Sequence, residues 1–342
     1  MTLCAAWIRQ SENEELVFAT DSCLTCGEKW NSGIKLFELP RKDCLLCFAG
    51  NTMRAYPLIL NLISSIKFDE RLLNPNNDIK EVLEYLQDLF TKLCGIIQPA
   101  DREDVHQLSA EADFLFGGWN WKEKNFCIWK LYYSKDAKGF VYTSLHEALQ
   151  DKKSNRLYHF IGDDLKEAKK LYINEFMSEE SEEYTDFDKP LDMEPLKVLA
   201  KMSRDKKFHS IDGPLQVAKV YASGITEFFG VMWPNSNGKP TFLGQELSPF
   251  NKPPIRFIDP DTANIIEEPI PTFLNEISKE IYGSEMDFVQ DCYDENRQLK
   301  ADLNSKARQR LLNILKDIAY KQFSNNEEKR VENILSTQRG EE

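Results

Sequence analysis

Four short apolar segments, separated by turn residues, fill the first fifty residues of the chain. They are residues 2–9, 16–21, 34–39 and 44–50. Apolar runs of this length, bounded by polar residues or glycine, are typical of buried strands, since a helix needs a longer segment. The segment at 44–50 is almost continuously apolar, which is typical of a strand buried on both faces. The sequence therefore predicts a core of short strands joined by turns.

Helical and strand patterns alternate beyond this region. The first predicted helix, Met53 to Ile66, contains Pro57, which removes a backbone donor. The second, Asp78 to Ile97, has apolar residues at the 3.6-residue spacing of an amphipathic helix. Further helices are predicted at 163–177 and 193–206, and further strands at 113–119, 125–133, 140–143, 160–162, 215–222, 225–233 and 239–244.

Thr2 stands directly behind the start methionine, at the head of the first predicted strand. Threonine is small enough for methionine aminopeptidase to remove Met1, and we expect that processing. A threonine at the N-terminus can act as a nucleophile, with its own α-amine as the general base. That amine has an ordinary pKa of about 7.7–8, so much of it accepts a proton near neutral pH. Thr2 is therefore the candidate nucleophile.

Three further positions accompany Thr2 at regular places in the strands. Asp21 closes the second strand, Lys35 lies in the third, and Phe48-Ala49-Gly50 ends the fourth. This order and spacing resemble the N-terminal half of proteasome β-type subunits and their simpler bacterial relatives, members of the N-terminal-nucleophile hydrolases. The resemblance implies an α+β fold, a four-layer αββα sandwich with two antiparallel sheets between helix layers. It extends over residues 2–245.

The resemblance also implies a role for each residue. Lys35 would favour the Thr2 alkoxide by its charge, and Asp21 would pair with Lys35 and hold it in place. The backbone N–H of Gly50 would face the developing oxyanion. Each residue also has an ordinary structural explanation, as a turn residue, a solvated lysine or a bend. The four together favour the catalytic interpretation.

The match to the family weakens after the predicted strand at 160–162. The family carries a serine after the glycine equivalent to Gly162, and Asp163 stands there instead. The family's Ser-Gly-Gly is represented clearly only by Gly213. Either the proton network is rebuilt with acidic groups such as Asp163 and Asp212, or activity is reduced or lost. Asp163 also fits the N-cap of the following helix.

The C-terminal part has no counterpart in that family. Residues 246–272 contain several prolines and are predicted to be a linker. Residues 273–342 are predicted to form a helical C-terminal extension, with helical patterns from Ile270 to Tyr282 and from Asp287 to Phe323.

Charge and hydropathy exclude several classes of partner. A net charge of −13 argues against nucleic acid or an anionic membrane as the main partner. No segment approaches the roughly 20 apolar residues of a membrane span, and no basic-then-apolar signal pattern opens the chain. We therefore expect a cytoplasmic protein whose eight cysteines are reduced thiols.

The spacing of four cysteines also fits a known metal-site pattern. Cys23-x-x-Cys26 and Cys44-x-x-Cys47 fit the spacing of a zinc ribbon. Cys44 and Cys47, however, lie in a strand, where residues three apart point to opposite faces and cannot share one ion. We expect no metal here, and the absence of phosphate-binding and zinc-protease motifs predicts no cofactor.

The leading interpretation is amide or peptide-bond hydrolysis by N-terminal Thr2. The resemblance implies a peptide or unfolded-protein substrate and a homo-oligomeric ring, and it allows an ATPase unfoldase as a further partner. The alternative is a catalytically inactive proteasome-like scaffold or binding subunit. A third possibility is hydrolysis of a small amide, because this fold serves several amide substrates.

Overall fold

The structure is a computed structural model, which describes most of the chain. The described residues are 2–10, 14–25, 28–96, 112–145, 156–178, 190–247, 255–266, 284–294, 299–300, 303–315 and 317. They form an α+β fold with antiparallel sheets. The chain divides into two units, residues 1–265 and 266–342.

The first unit contains a sheet of nine strands. Its strands are β1 (Leu3–Arg9), β2 (Glu15–Thr20), β10 (Tyr158–Gly162), β11 (Gln216–Tyr221), β12 (Thr226–Trp233), β13 (Lys239–Phe242), β14 (Gln245–Glu246), β15 (Phe257–Ile258) and β16 (Ile265–Ile266). Along the main path their order is β10-β1-β2-β11-β12-β13-β14, and β15 pairs in parallel with β12. The central pairs are antiparallel, so Leu3 lies opposite Gly162, and Gln216 opposite Thr20. This register brings the starts of β1 and β11 and the ends of β2 and β10 together at one end of the sheet.

A second sheet is antiparallel throughout and has the order β5-β6-β7-β8-β9. Its strands are β5 (Leu36–Glu38), β6 (Cys44–Gly50), β7 (Ala112–Asn120), β8 (Asn125–Ser134) and β9 (Gly139–Ser144). A separate two-stranded hairpin joins β3 (Leu24–Thr25) and β4 (Lys29–Trp30).

Side chains cap the starts of three helices of the first unit. The described helices of this unit are α1 (Thr52–Phe68), α2 (Glu70–Leu73), α3 (Ile79–Gly95), α4 (Leu165–Ser178) and α5 (Glu194–Arg204). The side chains of Asn51, Asp69 and Asp78 accept N–H bonds at the starts of α1, α2 and α3, which satisfies donors that lack partners within the helix. The helices predicted before residue 210 are confirmed as α1, α3, α4 and α5 with shifts of one or two residues, whereas α2 was not predicted.

Strand alternation distributes β1 between two buried clusters. Ala5 and Trp7 pack in a cluster that also contains residues of α4 and α5. Cys4 and Ala6 pack in another cluster, which contains residues of both sheets. In the same way β6 divides its side chains between this cluster and one that contains α1 and α3. Burial on both faces explains why these strands are continuously apolar.

The second unit differs from the prediction. A single helix was predicted from Asp287 to Phe323, but α6 (Ser284–Asp291) ends early. An antiparallel bridge between Tyr293 and Leu299 follows, and residues 305–315 are again helical. Val289, Cys292, Leu311 and Ile314 are buried together, so the apolar residues of the predicted helix form a local core instead of one stripe along a single helix. The predicted helix at 270–282 lies outside the described residues.

The predicted linker at 246–272 contains β15, whose Phe257 and Ile258 are buried. The division of the chain into a domain at 2–245, this linker and an extension at 273–342 stays a prediction. Among the described residues, no helix is both long enough and apolar enough to cross a membrane.

Candidate active site

Asp21 is the centre of the candidate site and is completely buried just after β2. Its Oδ1 accepts the backbone N–H of Leu3 at 3.0 Å. Its Oδ2 accepts the backbone N–H of Cys23 and the ammonium of Lys35, both at 2.9 Å. A single carboxylate therefore joins the backbone next to Thr2 to the side chain of Lys35.

Lys35 is also completely buried, and it forms the predicted ion pair with Asp21. Its carbonyl accepts the N–H of Phe48 in β6 at 3.3 Å. Burial raises the pKa of the Asp21 carboxyl above its ordinary value, while the Lys35 charge and the N–H groups of Leu3 and Cys23 act in the opposite direction. A charge that has left water needs such partners to persist.

Thr2 lies where β1 pairs with β10. Its backbone N–H donates to the Asp163 carboxylate at 3.0 Å, and its carbonyl accepts the N–H of Asp163 at 2.8 Å. Asp163 thus holds both sides of the Thr2 backbone. Because strand side chains alternate, Thr2 falls on the same face as Cys4, which packs between the two sheets. Thr2 is only 2% exposed.

Gly162 makes this close approach sterically feasible. Its φ is +113°, and a Cβ at this position would stand 1.9 Å from the Thr2 carbonyl oxygen. The same Cβ would lie 3.2 Å from the Cβ of Ala49, at the end of β6. A glycine is therefore needed where β10, Thr2 and β6 meet.

Gly50 ends β6 with φ +117° and pairs with Ala112. Its neighbour Ala49 lies beside Gly162, so Gly50 is near the Thr2 end of β1. Cys4 Sγ also donates to the Phe48 carbonyl at 3.0 Å, which ties β1 to β6. The structure thus brings together Thr2 with Asp163 and Asp21 with Lys35, and it places Gly50 close by. Their catalytic roles stay predictions.

Asp212 belongs to the surroundings of Asp21. Its backbone N–H approaches Asp21 Oδ2 at 3.4 Å, and its carboxylate forms an ion pair with Lys29. A surface cavity of about 750 Å³ lies beside this pair, with Arg204 and Trp233 in its lining. Thr2 does not line that cavity, so the cavity and the candidate nucleophile are separate features.

Gln216 was not recognised from the sequence. Its side-chain oxygen accepts the N–H groups of Lys35 and Leu36, at 3.0 and 3.2 Å, and its amide donates to the Gly33 carbonyl at 2.6 Å. The available signal was a polar glutamine at the start of the predicted strand 215–222, which is mostly apolar.

The buried cysteines show how β6 orients its side chains. Cys44 packs in the cluster with α1 and α3, whereas Cys47 packs between the sheets. The two thiols therefore face opposite sides of the strand. Within the part of the chain that the structure describes, no three His, Cys, Asp or Glu residues group as metal ligands.

Comparison with protein-family models finds no match, and comparison with curated proteins also finds none. Similar solved structures include the helical assembly of the Anbu complex from Pseudomonas aeruginosa, with 17% identity and a TM-score of 0.47 over 66% of this chain and 85% of that one. Anbu (ancestral beta-subunit) from Yersinia bercovieri has 18% identity and a TM-score of 0.43, over 66% and 86%. Anbu from Hyphomicrobium sp. strain MC1 has 15% identity and a TM-score of 0.41, over 64% and 82%.

The assignment to proteasome β-type subunits was wrong. The solved structures named above are Anbu proteins, a group distinct from those subunits. At these identities and TM-scores the likeness establishes neither a family nor N-terminal-nucleophile hydrolase chemistry for this chain. Asp163, which stands where the expected family carries serine, had already departed from that family's pattern.

Proposed function

We propose that the protein hydrolyses an amide bond, with Thr2 as the nucleophile once Met1 has been removed. The observation that carries this proposal is the buried Asp21 carboxylate, which binds both the Leu3 N–H and the Lys35 ammonium. This ion pair is bonded to the backbone N–H of the residue that follows Thr2. In the proposed reaction the Lys35 ammonium supplies positive charge where the Thr2 alkoxide develops.

The reaction would proceed in two stages. The α-amine of Thr2 accepts the hydroxyl proton as Oγ1 attacks the substrate carbonyl carbon. The C–N bond then breaks, the proton passes to the leaving amine, and an ester joins Thr2 to the acyl group. Water, deprotonated by the same amine, hydrolyses that ester and restores Thr2. The Gly50 N–H would stabilise the oxyanion in both stages.

Asp163 would orient the general base in this scheme. Its carboxylate already accepts the Thr2 N–H, and removal of Met1 converts that nitrogen into an amine at the same place. A carboxylate beside an amine favours its protonated form. Asp163 would therefore position the base and also move its working range to higher pH.

The catalytically inactive scaffold or binding subunit is the second candidate function. It is favoured by the burial of Thr2, which is only 2% exposed in the chain that includes Met1. Without removal of Met1, Thr2 has neither a free amine nor access to substrate, and the same fold would serve only to bind.

We also infer a four-layer order for the first unit, because separate buried clusters lie between α4–α5 and one sheet, between the sheets, and between the other sheet and α1–α3. A peptide or unfolded-protein substrate, a homo-oligomeric ring and an ATPase unfoldase stay predictions.

Thr2→Ala tests the proposed function. The variant should lose all hydrolysis of fluorogenic peptides and all covalent labelling by a peptide epoxyketone, since both need the hydroxyl. Intact-mass measurement of the wild type should show a chain that begins at Thr2. Thr241→Ala is the matched control, because it removes another buried hydroxyl, which donates to the Val231 carbonyl away from the site. Retained Met1, or full turnover in Thr2→Ala, would favour the scaffold.

A further inference from the structure

Gln216 occupies a completely buried position at the start of β11. In the antiparallel register it lies opposite Thr20, the residue before Asp21. All three of its side-chain hydrogen bonds go to the backbone of residues 33–36. The backbone of β11 pairs with β2 and β12. The Gln216 side chain therefore links β11 to residues 33–36 by hydrogen bonds.

The bonds of Gln216 satisfy groups that sheet pairing leaves without partners. β5 begins only at Leu36 and pairs with β6 along its other edge. The N–H groups of Lys35 and Leu36 point instead towards β11, and both donate to the same Gln216 side-chain oxygen. A buried N–H without an acceptor is costly, so one amide side chain stabilises three backbone groups here.

We propose that Gln216 is the positioning residue for Lys35, an inference that rests on the proposed function. Asp21 holds the ammonium of Lys35, and Gln216 holds its backbone. A lysine side chain has four flexible carbon–carbon bonds, so both ends must be held to keep the charge in one place. Electrostatic catalysis depends on such preorganised groups. Gln216 thus connects β11 to the catalytic charge without touching substrate.

Gln216→Met tests this role, because methionine is similar in length but has no strong donor or acceptor. Hydrogen exchange at the Lys35 and Leu36 amides should become at least about tenfold faster, while the amides of β11 stay protected. For peptide hydrolysis, kcat should fall by about 10- to 100-fold with KM within about twofold, since a small misplacement of a catalytic group has an effect of this size.

Gln216→Glu tests whether the hydrogen bonds of this side chain are what holds the Lys35 segment. A protonated carboxyl has one donor and one acceptor and can replace the amide. The ionised form can still accept the two N–H bonds, but it has no donor for the Gly33 carbonyl, which repels it, and its charge is costly to bury, so the side chain should leave this position. After correction for the intrinsic exchange rate, protection of Lys35 and Leu36 should therefore be near that of the wild type at pH 5 and lost at pH 8.

Val217→Ala is the matched control on the same strand. Val217 is buried and faces the cluster with α4 and α5, so its truncation loosens packing without touching residues 33–36. Unchanged exchange at Lys35 and Leu36 in Gln216→Met, or equal loosening in Val217→Ala, would overturn the positioning role. Normal kcat in Gln216→Met with Thr2-dependent turnover would overturn it as well. A wild type that epoxyketone does not label at Thr2 would instead refute the proposed function itself.

Discussion

At the scale of single residues, the site depends on two side chains that are both completely buried, Asp21 and Lys35. The resemblance implied that they pair, but not that water is excluded from the pair. Exclusion of water strengthens the field of the ammonium at Thr2. It also makes each partner depend on the other, since an unpaired buried charge is destabilising.

Lys35→Met should therefore affect stability and rate together. The free energy of unfolding should fall by about 3 kcal/mol, because Asp21 keeps its burial and loses its countercharge. Hydrolysis should slow by about 10²–10³, the usual effect of removing one preorganised electrostatic group. Chemical denaturation and peptide turnover measure the two effects.

A double variant separates these effects. Asp21→Asn with Lys35→Met removes both charges, so it should be more stable than Lys35→Met alone. Only part of the lost stability should return, because Asn offers one acceptor oxygen where the carboxylate offered two. Turnover should remain as low as in the single variant. Restored turnover would mean that Lys35 has only a structural role.

Asp163→Asn should change the pH dependence of hydrolysis. In the processed chain the carboxylate favours the protonated α-amine, so its removal lowers the pKa of that amine. The acidic limb of the pH–rate profile should move to lower pH by about one unit. A uniform loss of rate at every pH, with the limb unmoved, would contradict contact between Asp163 and the amine.

At the scale of elements, the end of β10 holds the start of β1. Gly162 permits this contact, because its φ is positive and its Cα lies against the Thr2 carbonyl. This close approach results from the pairing of two strands that are distant in sequence. The sequence pattern within either strand does not predict it.

Gly162→Ala should displace Thr2. The added Cβ meets a backbone oxygen and the backbone is strained as well, so we expect a loss of about 2–3 kcal/mol in unfolding free energy and strongly reduced activity. Gly95→Ala is the matched control, since a Cβ there meets nothing within 4 Å in the last turn of α3. It should be neutral or stabilising by up to about 1 kcal/mol. Equal melting temperatures for the two variants would contradict the predicted clash.

At the scale of the whole molecule, a histidine in β10 links stability to pH. Burial lowers the pKa of His159 to about 4, with smaller contributions from the charges of Lys130 and Lys169. The unfolded chain therefore binds a proton between about pH 6.5 and about pH 4 that the folded chain does not bind. Folding stability is thus lost as pH falls through this window.

His159→Gln should remove that part of the pH dependence. Because the ring is only partly buried, we expect the wild type to lose about 1–2 kcal/mol more than the variant between pH 7 and pH 4.5. All six tryptophans lie in the first unit, so their fluorescence during denaturation reports the relevant unfolding. Parallel stability curves for the two proteins would contradict the lowered pKa.

The sequence by itself determined the helices α1, α3, α4 and α5 and most strands of the first unit, but not α2, the β3–β4 hairpin or β15. Continuous apolar runs such as Cys44 to Gly50 require burial on both faces, and the 3.6-residue spacing after Asp78 requires an amphipathic helix. The sequence did not determine the structure after Asp287, where one helix to Phe323 was predicted. Apolar residues at helical spacing can cover a neighbouring domain or pack against each other after the chain turns back, as they do here. Periodicity does not distinguish these outcomes.

For the site, the sequence determined which residues to consider, namely Thr2, Asp21, Lys35, Gly50 and Asp163. Only the tertiary structure decided how they meet. The pairing of β1 with β10 brings Asp163 to Thr2, and the pairing of β11 with β2 brings Gln216 to Lys35. These partners lie more than 150 residues apart in the chain. Local preferences specify the strands, whereas contacts across the sheets depend on which buried polar groups find partners once the core has closed.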